Sequence, residues 1–335
     1  MSDLPQRVPH IRAMVALVSA CLAVSGRDAC AQAFVPAAGE GNVTIAYQNL
    51  TAHGHLDLNG NRMPGASGVD HVYTHALVVE AEFGLTDRLA VGGALPYIRS
   101  RYHGDAPHRP GGAAGTAPPR EWDDGTYHAT FQDFRFGARY KFTSHPVAIT
   151  PFAEVIVPSH HYPSIAHAAV GKDLRALVIG TAAGGFLDAV LPRLFFQTAV
   201  SHAVVQELLD VRPNRSRVDV ELGYFVTPRL AVRFLESYQV THEGIDILSF
   251  DPMTAGEIHD HPEIEFTNEF RANHDRLQRA NYATVGGGVG FAVTDSLDLF
   301  ANVVNTVWGE NVHPLLGVTV GVNTRFRSPR AAPRP

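Results

Sequence analysis

The sequence predicts an all-β fold, a transmembrane up-and-down antiparallel β-barrel of about twelve strands, and three observations carry that prediction. The first is a recurring turn phrase: FGLTDRLAVGG (Phe83 to Gly93), YFVTPRLAVRF (Tyr224 to Phe234) and FAVTDSLDLFANV (Phe291 to Val303), with looser copies at Tyr140 to Phe152 and Phe186 to Phe196. Each sets a Thr-Asp or Thr-Pro turn, or a near equivalent, between two apolar alternating runs, which is how a tight hairpin reads. The second is that short turns alternate with long polar stretches such as His53 to Asp70, His103 to Thr126 and Gly244 to Gln278. The third is alternation of apolar with charged residues inside the runs, as a strand with two different faces requires.

The predicted strands run near Val43 to Thr51, Val72 to Leu85, Leu89 to Tyr102, Tyr127 to Phe142, Val147 to Pro158, Asp173 to Ala189, Leu194 to Leu208, Arg215 to Val226, Leu230 to His242, Ala280 to Val293, Leu297 to Trp308 and Leu315 to Arg327. Short turns on one side and long loops on the other are the layout of bacterial outer-membrane barrels, which return both termini to the periplasm and so need an even strand count. Ten or fourteen strands satisfy the same rule. The hydrophobic content of 45% is ordinary, as expected where only alternate residues face lipid.

Residues 1–31 read as a cleaved signal peptide. Arg7 and Arg12 precede the apolar run Ala13 to Val24, and Ala29-Cys30-Ala31 offers the small residues of a cleavage site. A lipoprotein site at Cys21 is the competing reading. Both cysteines, Cys21 and Cys30, fall inside this segment, so the mature chain has no thiol for disulfides, nucleophiles or metal sites. Removing it takes away Arg7, Arg12 and Arg27 against Asp3 and Asp28, which moves the formal net charge of −6 to −7. A mildly acidic chain without a basic stripe points away from a nucleic-acid partner. Residues 32–327 form the expected barrel with long extracellular loops, and 328–335, rich in Pro and Arg, a disordered periplasmic tail.

The facing follows from alternation. Phe134, Phe136, Ala138, Tyr140 and Phe142 share one face of the fourth strand, and Val218, Val220, Leu222, Tyr224 and Val226 one face of the eighth; these are assigned to lipid. The opposite faces make the candidate site: Glu80, Glu82, Asp133, Arg135, Arg139, Glu154, Arg217, Asp219, Glu221 and Arg233 are expected to line the lumen. Charges at that depth need water or one another. Two readings stand, a salt-bridge network that seals a narrow barrel and a pore that uses the charges for selectivity.

With these residues in view, the chain resembles outer-membrane barrel proteins of the phenol-degradation meta-pathway transporter type, and more distantly the fatty-acid and aromatic-hydrocarbon channels. The resemblance rests on the turn phrase, on LAVGGALPYI (Leu89 to Ile98) and on DFRFGARYKF (Asp133 to Phe142). It implies an outer-membrane channel through which small solutes, aromatic or hydrophobic ones among them, diffuse passively. The stretch Thr319 to Phe326 is similar to the C-terminal signal read by the barrel-assembly machinery, though Thr324 stands where an apolar residue is usual and a tail follows Phe326. The N-terminal plug of the fatty-acid channels is expected to be absent, because only Gln32 to Asn42 precede the first strand.

Two loop features complete the reading. Pro262 to Arg279 has Pro at its start, acids in its first turn and arginines at its end, which favours a helix with Phe266, Phe270 and Leu277 on its apolar side. Such a helix either constricts the mouth or caps the rim, and it is the expected movable obstruction. His259, His261 and Glu263, with His160 and His161 in another loop, have donor types that suit a divalent metal, but solvated loop histidines need no such explanation, and neither metal nor cofactor is expected. No G-x-S-x-G or H-E-x-x-H motif occurs, so an enzyme is not expected. The alternatives to a channel are a closed structural or adhesive barrel and, behind it, an outer-membrane hydrolase.

Overall fold

The structure, a computed structural model, describes residues 33–63, 71–104, 122–248 and 256–328. The signal peptide expected over 1–31 and the tail beyond Ser328 lie outside the described residues. Twelve strands form one closed antiparallel sheet: β1 (Glu40–His53), β2 (His71–Gly84), β3 (Leu89–His103), β4 in two segments (His128–Phe131 and Asp133–Tyr140), β5 (Ala148–Pro158), β6 (Ala176–Phe186), β7 (Leu194–Val205), β8 (Arg215–Phe225), β9 (Leu230–Thr241), β10 (Asn281–Ala292), β11 (Leu297–Glu310) and β12 (Leu315–Arg327). Each pairs with its neighbours in sequence, and β1 pairs with β12, so no edge is left open. The predicted strand count and order are those observed.

Boundaries differ where the loops intervene. The sixth strand starts at Ala176, three residues after the expected Asp173, because Asp173 sits at φ +50 and its N–H bonds the Tyr162 hydroxyl at 3.1 Å instead of joining the ladder. In β4, Gln132 interrupts the ladder; its N–H goes to Pro96 O at 2.9 Å, and the phenyl rings on either side, Phe131 and Phe134, remain in contact.

The repeated Thr explains the short turns. Thr86 Oγ1 accepts the N–H groups of Arg88 and Leu89 at 3.1 and 2.9 Å, and Thr227 Oγ1 accepts those of Arg229 and Leu230 at 3.2 and 3.0 Å. Thr294 Oγ1 repeats the pattern with Ser296 N–H at 3.2 Å. The hydroxyl satisfies backbone donors that a tight turn leaves unpaired, which is the role Ser and Thr play in such turns. In the looser copy at Phe186 to Phe196 a carboxylate does this, Asp188 Oδ1 accepting from Arg193 N–H at 2.9 Å.

The two faces separate as the alternation requires. Phe136, Tyr140, Leu222, Leu316, Val318, Val320 and Phe326 are exposed on the outer wall, although each is a large apolar or aromatic side chain. The inner wall carries ion pairs and a few phenyl rings laid across glycines. A Cβ on Gly223 would lie 2.0 Å from the Phe195 ring, and one on Gly321 would lie 2.4 Å from Phe300. Glycine at those two positions lets a cross-strand ring lie flat against the backbone.

Candidate solute passage

The inner wall brings the predicted charges together in pairs. Arg135 meets Glu80 at 2.7 Å and Arg139 meets Glu82 at 3.0 Å, tying β4 to β2 across β3. Facing them, Arg217 pairs with Asp219 on the same strand at 2.8 Å, and Arg233 approaches Glu221 at 3.7 Å while donating to Asn302 at 2.9 Å. Asp133 instead accepts from the Tyr162 hydroxyl, and Glu154, opposite Gly137 on β4, has no ion pair within 4 Å among the described residues. Sequence reasoning left out one pair of the same kind, Asp298 with Arg325 at 2.7 Å, although Arg325 alternates with the outward residues of β12 and Asp298 follows the third turn phrase.

At the short-turn end, residues 33–38 cross the mouth. Ala33 is buried against Ala148, Ala182 and Ala199, its carbonyl accepts from Thr150 Oγ1 at 2.6 Å, and Phe34 joins the inner phenyl patch of Phe186, Phe195 and Phe225. From there the chain reaches β2, where Ala38 N–H bonds Asp87 at 3.0 Å and Gly39 N–H bonds Gly84 O at 2.9 Å. Six extended residues span about 20 Å, enough to bridge the opening. Residues 33–38 thus cross this mouth as a single extended segment.

At the long-loop end, a loop other than the expected segment Pro262 to Arg279 packs on the inner wall. The β5–β6 connection, residues 159–175, folds inward: Tyr162, Ala166 and Val170 pack with Trp122 on the inner-wall residues Ala76 and Ile98. Two backbone N–H groups, of His167 and Ala168, bond the Asp123 carboxylate at 3.0 Å each. The hydrogen bond from Tyr162 to Asp133, together with burial, pushes the Tyr162 phenol above its ordinary pKa, with burial the larger cause. Gln132 completes the anchor by donating to Val170 O.

The segment Pro262 to Arg279 sits above this loop. It forms two short helices, α1 (Asn268–Ala272) and α2 (His274–Leu277), in place of one continuous helix. Thr267, which precedes α1, is extended at φ −75, ψ 172, and Asn273 breaks the run at φ −119, ψ 13. Phe270 and Leu277 are buried with Ile245, Ile247 and Ile258, and Phe266 packs against them, so the expected apolar side is the buried one. Arg276 donates to the carbonyls of Lys172 and Asp173 at 3.0 and 2.8 Å, and Lys172 Nζ donates to Gln278 O at 2.8 Å. Burial pushes the Lys172 ammonium down to about 7, with Arg215 adding to the shift.

The loop histidines do not converge on a metal. His259 bonds Asp246 at 2.9 Å, His261 bonds Glu263 at 3.1 Å and His160 bonds Thr130 at 3.0 Å. Among the described residues no three such donors form a metal-holding group. Three other histidines meet instead: the ring of His313 lies 4.8 Å from His55 and 5.0 Å from His167, joining three loops in one cluster in which His55 is buried and the other two half-buried. Burial, with neighbouring histidines second, lowers His55 to about 4 and His313 to about 3.

Against known proteins, no family model matches the chain and no curated protein matches it in sequence. Among solved structures, it is similar to the COG4313 outer membrane channel from Pseudomonas putida F1, at 12% identity and a TM-score of 0.63, covering 90% of this chain and 100% of that one. The KdgM porin matches at 8% identity and a TM-score of 0.42 over 85% and 99%, and the CymD monoaromatic hydrocarbon channel at 8% and 0.42 over 87% and 90%. The first of these likenesses bears out the β-barrel as a fold.

Proposed function

We propose that this chain is an outer-membrane channel for passive diffusion of small solutes, aromatic or hydrophobic ones with a polar group among them. The observation that carries the reading is the composition of the inner wall. Ion pairs of both signs line its length, and the Phe34, Phe186, Phe195 and Phe225 patch lies at the short-turn end. A path offering charge and ring surface in series suits a solute that has both. The exposed apolar outer wall supports insertion in lipid, with β12 and its outward Phe326 presented to the assembly machinery.

A specific observation favours the rival reading of a sealed structural barrel: both mouths are covered, one by residues 33–38 and the other by residues 159–175. The two readings separate in one experiment. Replacing residues 159–175 by a Gly/Ser linker should leave assembly intact, because loop changes affect stability weakly, and should raise single-channel conductance and the liposome uptake of small aromatic acids severalfold. A variant that assembles and passes nothing would leave the sealed barrel standing.

A further inference from the structure

On the outer wall at the long-loop end, two arginines project above the exposed apolar side chains of Tyr97, Leu95, Leu77 and Phe131. Arg99 and Arg101 share one face of β3, and both lie over the Tyr127 ring, their guanidinium carbons 4.3 and 4.6 Å from its centroid. Arg101 also lies 5.2 Å from the Tyr73 ring. Tyr127 is in turn held by a chain of hydrogen bonds, its hydroxyl 3.1 Å from His75 Nε2 and His75 Nδ1 2.7 Å from the Tyr47 hydroxyl. No carboxylate lies within 4 Å of either guanidinium among the described residues, and Arg101 Nε has no hydrogen-bond partner. Two guanidinium groups are thus held on one tyrosine ring with no carboxylate beside them among the described residues.

Their height along the strand matters. Arg99 stands ten residues above Leu89, the first residue of β3. At about 3.3 Å per residue and a tilt of about 40°, that is roughly 25 Å, the top of the apolar band of such barrels. Directly below lie Tyr97, Leu95, Leu77 and Phe131, all exposed. A cationic pair over an apolar wall matches an amphiphile with an anionic head. Planar guanidinium groups suit phosphate oxygens better than a point charge does, and stacking on tyrosine pre-orients them.

We propose that this patch binds a phosphorylated glycolipid of the outer leaflet, with a phosphate on Arg99 and Arg101 and an acyl chain along Leu77, Leu95, Tyr97 and Phe131. The proposal rests on placement in the outer membrane and is independent of whether the lumen conducts.

The test uses the full chain, delipidated in detergent, and native mass spectrometry with three probes: bisphosphorylated lipid A, its dephosphorylated counterpart and inorganic phosphate. The expected result is retention of the bisphosphorylated lipid, weakened at least tenfold by removing the phosphates or by the double change Arg99→Gln and Arg101→Gln. Arg99→Lys with Arg101→Lys should fall between. An unboiled gel shift shows that each variant is a closed barrel, and Arg99→Gln alone, at an exposed position, serves if the double variant does not assemble. Equal retention by wild type and the Gln variant, inorganic phosphate competing as well as the lipid, or no retention of any probe would overturn it.

Discussion

The two ends of the barrel are built on different principles. At the short-turn end each connection is local: a threonine or aspartate side chain closes a turn between strands that are already neighbours, as Thr86, Thr227 and Asp188 do. At the long-loop end almost nothing is local. His313 meets His55 and His167, and Arg276 reaches Lys172 and Asp173, across separations of one to two hundred residues or more. The first end is therefore coupled to the ladder itself, and the second is a superstructure whose loss leaves the ladder intact. Local opening should concentrate in the second.

The largest effect on this contrast should come from Gly84. A Cβ there would lie 2.2 Å from Ala37 O and 2.5 Å from Pro36 O, backbone atoms that cannot swing aside. Gly84→Val should cost roughly 1–3 kcal/mol by overpacking and displace residues 33–38 from the mouth. Limited proteolysis near Pro36 in the folded protein reads this directly. Cleavage no faster than in wild type would mean the segment is not held as described.

A smaller effect is expected at Thr86. Thr86→Ala removes the acceptor for two N–H groups at the surface, a change worth about 1 kcal/mol, and should slow refolding into micelles or lower the melting temperature while leaving hydrogen exchange in the 159–175 loop unchanged. A change in that loop would show that the two ends are coupled after all.

This contrast also sets what the sequence discloses. The turn phrase is a local signal, so strands β2–β3, β8–β9 and β10–β11 are legible from Thr86, Thr227 and Thr294, and alternation then fixes the face of Phe136 and Val220. Alternation groups the charged residues on one face, and Glu80, Glu82, Arg135 and Arg139 form pairs. The partners were not, because Glu80 and Arg135 are joined through β3 and only the closed ladder brings them level. The inward loop was missed for a similar reason. Residues 159–175 carry no periodic pattern; they pack by Tyr162 reaching Asp133 and by Ala166 and Val170 reaching Ala76 and Ile98, contacts set by the barrel's diameter. Helix signals in Pro262 to Arg279 drew attention to the neighbouring loop, where Asn273 divides the run.

The smallest global effect, and the one that most sharpens the contrast, is pH. At the long-loop end His313 lies between His55 and His167, and Tyr102 stacks on His167. The charged or titratable groups around the trio are Asp57 from the β1–β2 connection, Asp123 from β3–β4 and Asp275 from β9–β10, with Asn311 and the Gly54 carbonyl as uncharged partners. Burial holds His55 near 4 and His313 near 3, below the ordinary value of 6.5, so the packed loops favour the neutral rings. The opened loops bind more protons than the packed ones at any pH between those values, which makes packing weaken as pH falls from about 6.5 toward 4 and 3. His55 and His313 should titrate as a coupled pair. Hydrogen exchange at residues 54–57 and 309–313 should therefore rise on going from pH 7.5 to pH 4.5, after correction for the intrinsic rate, while the backbone of β8 and β9 stays protected. His313→Gln should flatten that dependence. Uniform exchange across loops and strands at low pH would mean that the two ends open together and that the division drawn between them is wrong.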